Sequence, residues 1–460
     1  MQSQQQSERE TCGVIVFGKN GREILVRNTE GAYLLPTVEI PRWKRVAENL
    51  TAAVRREWGC DAVCLFSPNT SSQDGNSQEH RYEVMQCGQD AKCSIETAWL
   101  PIHSISATSF LRMEQFRAVE QCLAELDTYE GDRSKPFARR GWLGELREWI
   151  GCVIGPLGLE LTGPSHHYNA SPTFNLIQFE TTGPAIWFKA VGEPNLHEFM
   201  ITTTMARLLP RHLPPVLASH TAWHGWLMSD GGTPLWNGLS SVAESAEVAE
   251  SLASLQIESL DHSTELLAAG ARDLSIAELL KLVDPFVEVI VELMRRQDKV
   301  PPAPLTRREI LDVAAALKRG LNALDTCSLP ICLGHTDLNL GNILATATDH
   351  VFVDWAEAYV GQPFFTFEYL LSQLKKNWAD IAPFENIIRT AYARRWKYFV
   401  PAQSISEAFV FSPLTAVFAY AVTCDWRSCQ ESQDPQLQAY LRGLTRRMKR
   451  EMDTLFLGSR

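Results

Sequence analysis

The sequence predicts an α+β fold. Three observations carry this: β-rich runs with a tight turn near the start, a second small group of strands in the middle, and a mainly helical pattern beyond about Trp236. Residues 12–17 and 23–27 are β-rich and joined by Lys19-Asn20-Gly21, the signature of a hairpin. The period then changes. Val46, Leu50, Ala53, Val54 and Trp58 recur at three- and four-residue spacings, which puts them on one face of a helix that Gly59 closes. Residues 62–66 and 81–86 read as further strands, separated by a Ser/Asn/Gln/Gly-rich loop at 69–78. This first unit spans 1–107, and residues 108–136 follow it as a helix (110–126) and a polar linker (129–136). Residues 137–235 form a small sheet with one helix, from strands at 159–162, 174–180 and 185–191 and a helix at 195–209. The next strands there are 213–217 and the segment from Gly225. Residues 236–460 read as helical, interrupted by short strands around 331–333, 343–345 and 351–353.

Composition excludes several classes of function. With 43 Lys plus Arg against 54 Asp plus Glu, the formal charge is −11, a field that repels phosphate polymers, so no nucleic-acid partner is expected. The opening MQSQQQSERE has no basic segment followed by an apolar one, so no export signal is expected and the protein is placed in the cytoplasm. The longest uncharged stretch, 408–424, is diluted by Ser412, Pro413, Thr415 and Thr423 and reads as a buried helix rather than a membrane span. The 11 cysteines form no CxxC pair, and their odd number without an export signal reads as reduced, mostly buried thiols.

The segment Cys332-Leu333-Gly334-His335-Thr336-Asp337-Leu338-Asn339-Leu340-Gly341-Asn342-Ile343-Leu344, followed by Val351-Phe352-Val353-Asp354-Trp355, carries the chemistry. An Asp on a loop, an amide five positions later and a second Asp ending an apolar strand are what Mg-dependent phosphoryl transfer requires. The first Asp takes or orients the proton of an attacking hydroxyl, and the Asn and the second Asp hold Mg²⁺ through hard oxygen donors.

This pattern, H-x-D-x-x-x-x-N and then a strand ending in D-W, resembles the aminoglycoside phosphotransferase and choline kinase-like superfamily. The resemblance implies a protein-kinase-like bilobal fold, with a small β-rich lobe over 137–235 and a helical lobe over 236–460 that carries the catalytic segment 333–355. It implies Asp337 as the catalytic Asp, His335 as a brace of its loop, and Asn342 and Asp354 as metal ligands. It also implies a strand Lys for the phosphates of ATP, met by Lys189 in Ala185-Ile186-Trp187-Phe188-Lys189-Ala190-Val191, and a helix Glu to pair with it, met by Glu198. Backbone near Met228 and Ser229 would face the adenine. The sequence departs from the family at Thr336, Asn339 and Leu340. It departs again at Thr366, which stands where an Asp normally braces the loop and offers a hydroxyl without charge. The segment 163–172 between the first two small-lobe strands has no G-x-G-x-x-G, and its His166 and His167 read as solvated.

Residues 1–107 resemble a Nudix domain, an α/β/α fold whose box is G-x5-E-x7-R-E-U-x-E-E-x-G-U. On that box Val38, Lys44, Ala52, Ala53 and Arg56 replace chemical residues, while Val54, Glu57, Gly59 and Cys60 agree with it or nearly so, and Trp99-Leu100-Pro101 resembles a late segment of the fold. One Glu beside Arg56 cannot collect the metals that pyrophosphate hydrolysis needs, so the resemblance implies a domain without hydrolase activity. Residual hydrolysis would require metal binding by these residues alone.

The expected activity is therefore ATP- and Mg²⁺-dependent transfer of a phosphoryl group to a hydroxyl of a small molecule. The alternative is a catalytically silent sensor in which a pseudo-kinase and a pseudo-Nudix domain bind nucleotides. The acceptor and the oligomeric state are not legible. Trp355, Trp378, Trp396 and Trp426 with Phe364, Phe365 and Tyr369 have the character of an ammonium-binding box but read first as core. Glu357, Asp380, Glu407 and Asp425 are candidates for a cationic acceptor and read first as solvated carboxylates.

Overall fold

The computed structural model describes residues 9–29, 31–68, 81–88, 96–237, 239, 241–377, 383–430 and 434–457. The loop at 69–78, Cys93, Trp378 and Asp380 lie outside the described residues. The chain divides into two compact units, Met1–Phe199 with Val216–Asp230, and Met200–Pro215 with Gly231–Arg460.

The first unit opens on a seven-stranded mixed sheet of β1 (Arg9–Phe17), β2 (Glu23–Thr29), β3 (Ala32–Leu34), β4 (Thr37–Pro41), β5 (Ala62–Phe66), β6 (Arg81–Cys87) and β7 (Thr97–Pro101). Its main path is β3-β2-β1-β6-β5, with β1 and β6 parallel, while β4 pairs β1 and β7 pairs β2. Both faces are buried, which is why β1 reads as an unbroken apolar run. Val14 and Val16 face helix α1 (Val46–Trp58) with Leu50, Ala53 and Val54. Ile15 and Phe17 face the opposite core with α2 (Met113–Tyr129) and α3 (Trp142–Ile154). Gly59 ends α1 at φ 64°, a left-handed turn that costs glycine nothing, and its N–H reaches the Arg55 carbonyl. Helix α3 displays Trp142, Leu146, Ile150 and Ile154 at four-residue spacing, a signal that the breaker run and Gly144 and Gly151 obscure in the sequence.

A second, antiparallel sheet in the same unit runs β11 (Val216–His220), β12 (Gly225–Ser229), β10 (Ile186–Ala190), β9 (Asn175–Thr181), β8 (Leu161–Ala170). Ile177, Phe179, Ile186, Phe188 and Leu227 on one face join the core that holds Trp142, Ile15 and Phe17, so the front sheet and this sheet share apolar packing through α3.

Strand β8 corrects the reading of 163–172 as a loop with solvated histidines. With period-two alternation Ser165 and His167 are buried and only His166 is turned outward, beside Glu180 at 3.1 Å. The His167 Nδ1 accepts from the Cys64 N–H at 3.3 Å and its Nε2–H donates to the Asn175 amide oxygen. The neighbouring turn adds Asp61, which is buried and accepts from Arg55 (2.7 Å), Arg147 (3.3 Å) and the Ser165 N–H (3.3 Å), while Arg55 also reaches the Ser165 carbonyl (2.6 Å). The expectation of reduced thiols is corrected at one pair: adjacent strands β5 and β6 bring Cys60 and Cys87 to a Cα separation of 6.0 Å, and they form a disulfide.

In the second unit most of the chain is helical: α4 (His197–Leu208), within which the division falls, then α5 (Val242–Glu258), α6 (Ser263–Ala268), α7 (Ile276–Arg295), α8 (Arg307–Thr326), α9 (Pro363–Asn377), α10 (Glu385–Trp396), α11 (Ala402–Ala421) and α12 (Pro435–Leu457). Two small sheets interrupt it, β13 (Thr233–Pro234), β16 (Ile343–Ala345) and β17 (His350–Phe352) in one, and β14 (Arg272–Leu274), β18 (Ala358–Gly361) and β15 (Cys332–His335) in the other. Helix α11 is long and apolar enough by composition to cross a membrane, and its Ala408, Leu414, Val417, Phe418 and Ala421 pack in the main core of this unit.

Candidate active site

The segment that carries His335, Asp337, Asn342 and Asp354 is a loop strung between strands of the two small sheets. Strand β15 delivers His335, the loop carries Asp337 and Asn342 to β16, and β17 ends two residues before Asp354. Gly334 is required by packing: a Cβ there would fall 2.0 Å from the Tyr359 ring on the facing strand β18.

His335 is buried, and its ring ties the two ends of the segment together. Nδ1 accepts from the Asp337 N–H at 3.0 Å and Nε2–H donates to the Val353 carbonyl at 3.4 Å, which fixes the neutral tautomer. Burial lowers the imidazole pKa, outweighing the opposing pull of Asp354 and Asp337. The Asn342 carbonyl accepts from the Val353 N–H at 3.0 Å, and its side-chain Nδ2 donates to the Asp337 carbonyl at 2.9 Å. That bond occupies the Asn342 amide nitrogen, whose partner atom Oδ1 is a hard oxygen donor. Asp354 is exposed and sits at φ 69°, a left-handed backbone that a residue with a Cβ adopts at a cost. An amide oxygen and an exposed carboxylate are hard donors of the kind Mg²⁺ takes, with water or phosphate oxygens completing its shell. The residues present thus fit the implied ion.

Thr366 takes up the bracing task that its missing charge put in question. Its hydroxyl accepts from the His335 N–H at 2.9 Å and donates to the Tyr359 hydroxyl at 2.9 Å; Tyr359 in turn donates to the Gln362 carbonyl at 3.0 Å and accepts from the Thr366 N–H at 3.1 Å. The Thr366 and Tyr359 hydroxyls and the His335 N–H are thus all matched without a carboxylate. Glu368, two residues on, does not touch the loop: it is buried against Arg389, at 2.7 and 3.3 Å.

Asp337 is half-buried. Its Oδ1 accepts from the Tyr369 hydroxyl at 2.8 Å and its Oδ2 from Asn339 Nδ2 at 3.3 Å. Tyr369 appears in the sequence only as one aromatic among seven. Of the others within the described residues, Trp355, Trp396, Trp426, Phe364 and Phe365 are buried in the core, as helix-spaced aromatics usually are. Among the acidic candidates, Glu357 pairs with Arg272 at 2.9 Å, Glu407 accepts from Gln403 at 2.9 Å, and Asp425 accepts from Ser428 at 2.6 Å.

In the first unit, Lys189 lies on β10, the middle strand of its sheet, and Glu198 lies in the first turn of α4. Both are buried, with Lys189 Nζ 2.5 Å from Glu198 Oε1 and 5.7 Å from the centre of the Trp226 ring. Buried cations are paired in this way, and the strand's alternation sets Lys189 on the face opposite Ile186 and Phe188. Met228 and Ser229 close β12.

In the first unit, the box positions lie on α1 and its flanks. Glu57 is beside Arg56 at 3.3 Å, and among the described residues no group of three His, Cys, Asp or Glu side chains could hold a metal.

Residues 205–401 match the model of the phosphotransferase enzyme family, a span that contains His335, Asp337, Asn342 and Asp354. No curated protein matches the chain. Similar solved structures include a choline/ethanolamine kinase family protein from Mesorhizobium loti, at 16% identity and TM-score 0.45, over 68% of this chain and 95% of that one. A macrolide 2'-phosphotransferase from Brachybacterium faecium aligns at 15% identity and TM-score 0.41, over 65% and 98%. An ethanolamine kinase from Plasmodium vivax aligns at 13% identity and TM-score 0.44, over 72% and 93%.

Proposed function

We propose that this chain is a small-molecule kinase that transfers the γ-phosphoryl group of ATP to a hydroxyl, with Mg²⁺ as cofactor. The observation that carries this reading is a closed loop: His335 bonds the Asp337 N–H and the Val353 carbonyl, and Asn342 bonds the Asp337 carbonyl and the Val353 N–H, which ties Asp337, Asn342 and the residue before Asp354 into one segment. The family match over 205–401 supports the same reaction class. Asp337 takes the proton as the acceptor oxygen bonds to the γ-phosphorus and the bond to the bridging oxygen breaks, releasing ADP. Lys189 binds phosphate oxygens, and Glu198 holds its ammonium in place. Asn342 and Asp354 hold the cation, which neutralises phosphate charge when bound. The kinase-like lobes and a Nudix-like front domain belong to this proposal, as does a cytoplasmic setting. The silent-sensor reading is weaker, because it gives no chemical reason for an intact Asp337, Asn342 and Asp354.

The test is ADP release by the purified full chain with Mg-ATP and pools of amino alcohols, aminoglycosides, sugars and amino acids, beside Asp337→Asn and Asp354→Ala. Acceptor-dependent release lost in both variants is the expected result. Release that survives in Asp337→Asn overturns the assignment of Asp337. No release with any pool, in protein that binds Mg-ATP, favours the sensor.

A further inference from the structure

We infer that Tyr369 is a positioning residue for phosphoryl transfer: its hydroxyl pins one oxygen of Asp337 so that the other faces the acceptor. The inference rests on the phosphotransferase reading above. A carboxylate turns easily about its last bond unless hydrogen bonds hold it, and a general base is effective only while its reacting oxygen stays within hydrogen-bond reach of the proton it takes. Here the holding is unequal. Tyr369 bonds Oδ1 at 2.8 Å, whereas Asn339 reaches Oδ2 only at 3.3 Å. Oδ2 therefore keeps most of its capacity for an acceptor hydroxyl.

Tyr369 is suited to the task because three helices fix it. It projects from α9, its ring packs on Tyr420 of α11 with centroids 5.5 Å apart, and the Tyr420 hydroxyl is hydrogen-bonded to that of Tyr440 on α12. A phenol has few rotatable bonds, so packing of its ring fixes where its hydroxyl points. Burial, and after it the adjoining carboxylate, raise the Tyr369 pKa well above that of a free phenol, so the hydroxyl remains a donor at any working pH. Three other side chains reach the Asp337 segment. His335 and Asn342 meet its backbone, and Asn339 meets its carboxylate only through the long bond. Tyr369 thus makes the shortest side-chain contact the Asp337 carboxylate has among the described residues.

Tyr369→Phe removes one hydroxyl and keeps the ring against Tyr420. The measurement is steady-state turnover of Mg-ATP by the full chain with the acceptor pool that gives most ADP release, together with the thermal midpoint. The expected result is a fall in kcat of about ten-fold to a hundred-fold, with KM for ATP and for the acceptor changed less than about two-fold and the midpoint nearly unmoved. A purely structural role would instead lower the midpoint or raise both KM values. Wild-type turnover with an unchanged kcat in Tyr369→Phe overturns this inference alone. Absence of turnover in the wild type overturns the phosphotransferase reading and this inference with it.

Discussion

Replacing Thr366 by Val tests whether a neutral hydroxyl braces the loop that carries Asp337. The substitution preserves shape and deletes only Oγ1, which accepts from the His335 N–H at 2.9 Å and bonds Tyr359 at 2.9 Å. Tyr359 keeps two other partners, the Gln362 carbonyl at 3.0 Å and the Thr366 N–H at 3.1 Å, so it loses little. The His335 N–H has no such reserve. Thr366 and His335 are each about 1% exposed, which bars water from replacing the lost acceptor. An orphaned buried donor costs roughly 1–3 kcal/mol, so the loss should centre on about 2 kcal/mol. At about 2–4 °C per kcal/mol for a unit of this size, the thermal midpoint should fall by roughly 4–8 °C. Thr366→Ser is the control, since it keeps the hydroxyl and gives up one methyl worth about 1 kcal/mol. Differential scanning calorimetry of the three proteins, with turnover measured alongside, decides the matter. A Val variant within about 1 °C of wild type, or a Ser variant that loses more than Val, would refute the brace.

Two further predictions concern the first unit. Asp61→Ala leaves Arg55, Arg147 and the Ser165 N–H without their shared acceptor. Both arginines reach solvent in part, so the cost should lie below that of a fully buried pair, at about 2–3 kcal/mol, and a chemical-denaturation midpoint indistinguishable from wild type would exclude the clamp. The second is a pH dependence. Burial lowers the pKa of His167 to about 4 from an ordinary 6.5, outweighing the hydrogen bond to Asn175 that raises it. The unfolded chain therefore binds a proton between these values that the folded chain does not. The contribution of His167 to stability is complete above pH 6.5 and is lost as pH falls towards 4, at up to about 1.4 kcal/mol per pH unit. Urea unfolding at pH 7 and pH 5 should show a smaller loss in His167→Gln than in wild type, and an equal loss in both would assign the dependence to other groups.

The segment from Cys332 to Asp354 stood out in the sequence because its residue types and their spacing lie within one short stretch. The same is true of α1, whose period and closing Gly59 give Val46–Trp58 without reference to anything distant. Both are short-range facts, settled by backbone geometry and by which side chains fall on one face. Other features depend on residues far apart in the chain. His167 looked like a surface histidine until β8 docked on Cys64, 103 positions away, and Thr366 looked like a loss until Tyr359 and His335 closed around its hydroxyl. Tyr369 belonged to an anonymous set of aromatics until its hydroxyl was set 2.8 Å from Asp337, 32 positions earlier. Cys60 and Cys87, likewise, became a pair only through the adjacency of two strands. The sequence by itself determined the chemical groups and the local elements that carry them. Tertiary structure decided which of those groups are buried, what they bond and therefore how they act, because burial and hydrogen-bond partners are properties of contacts between distant segments, and no local pattern encodes them.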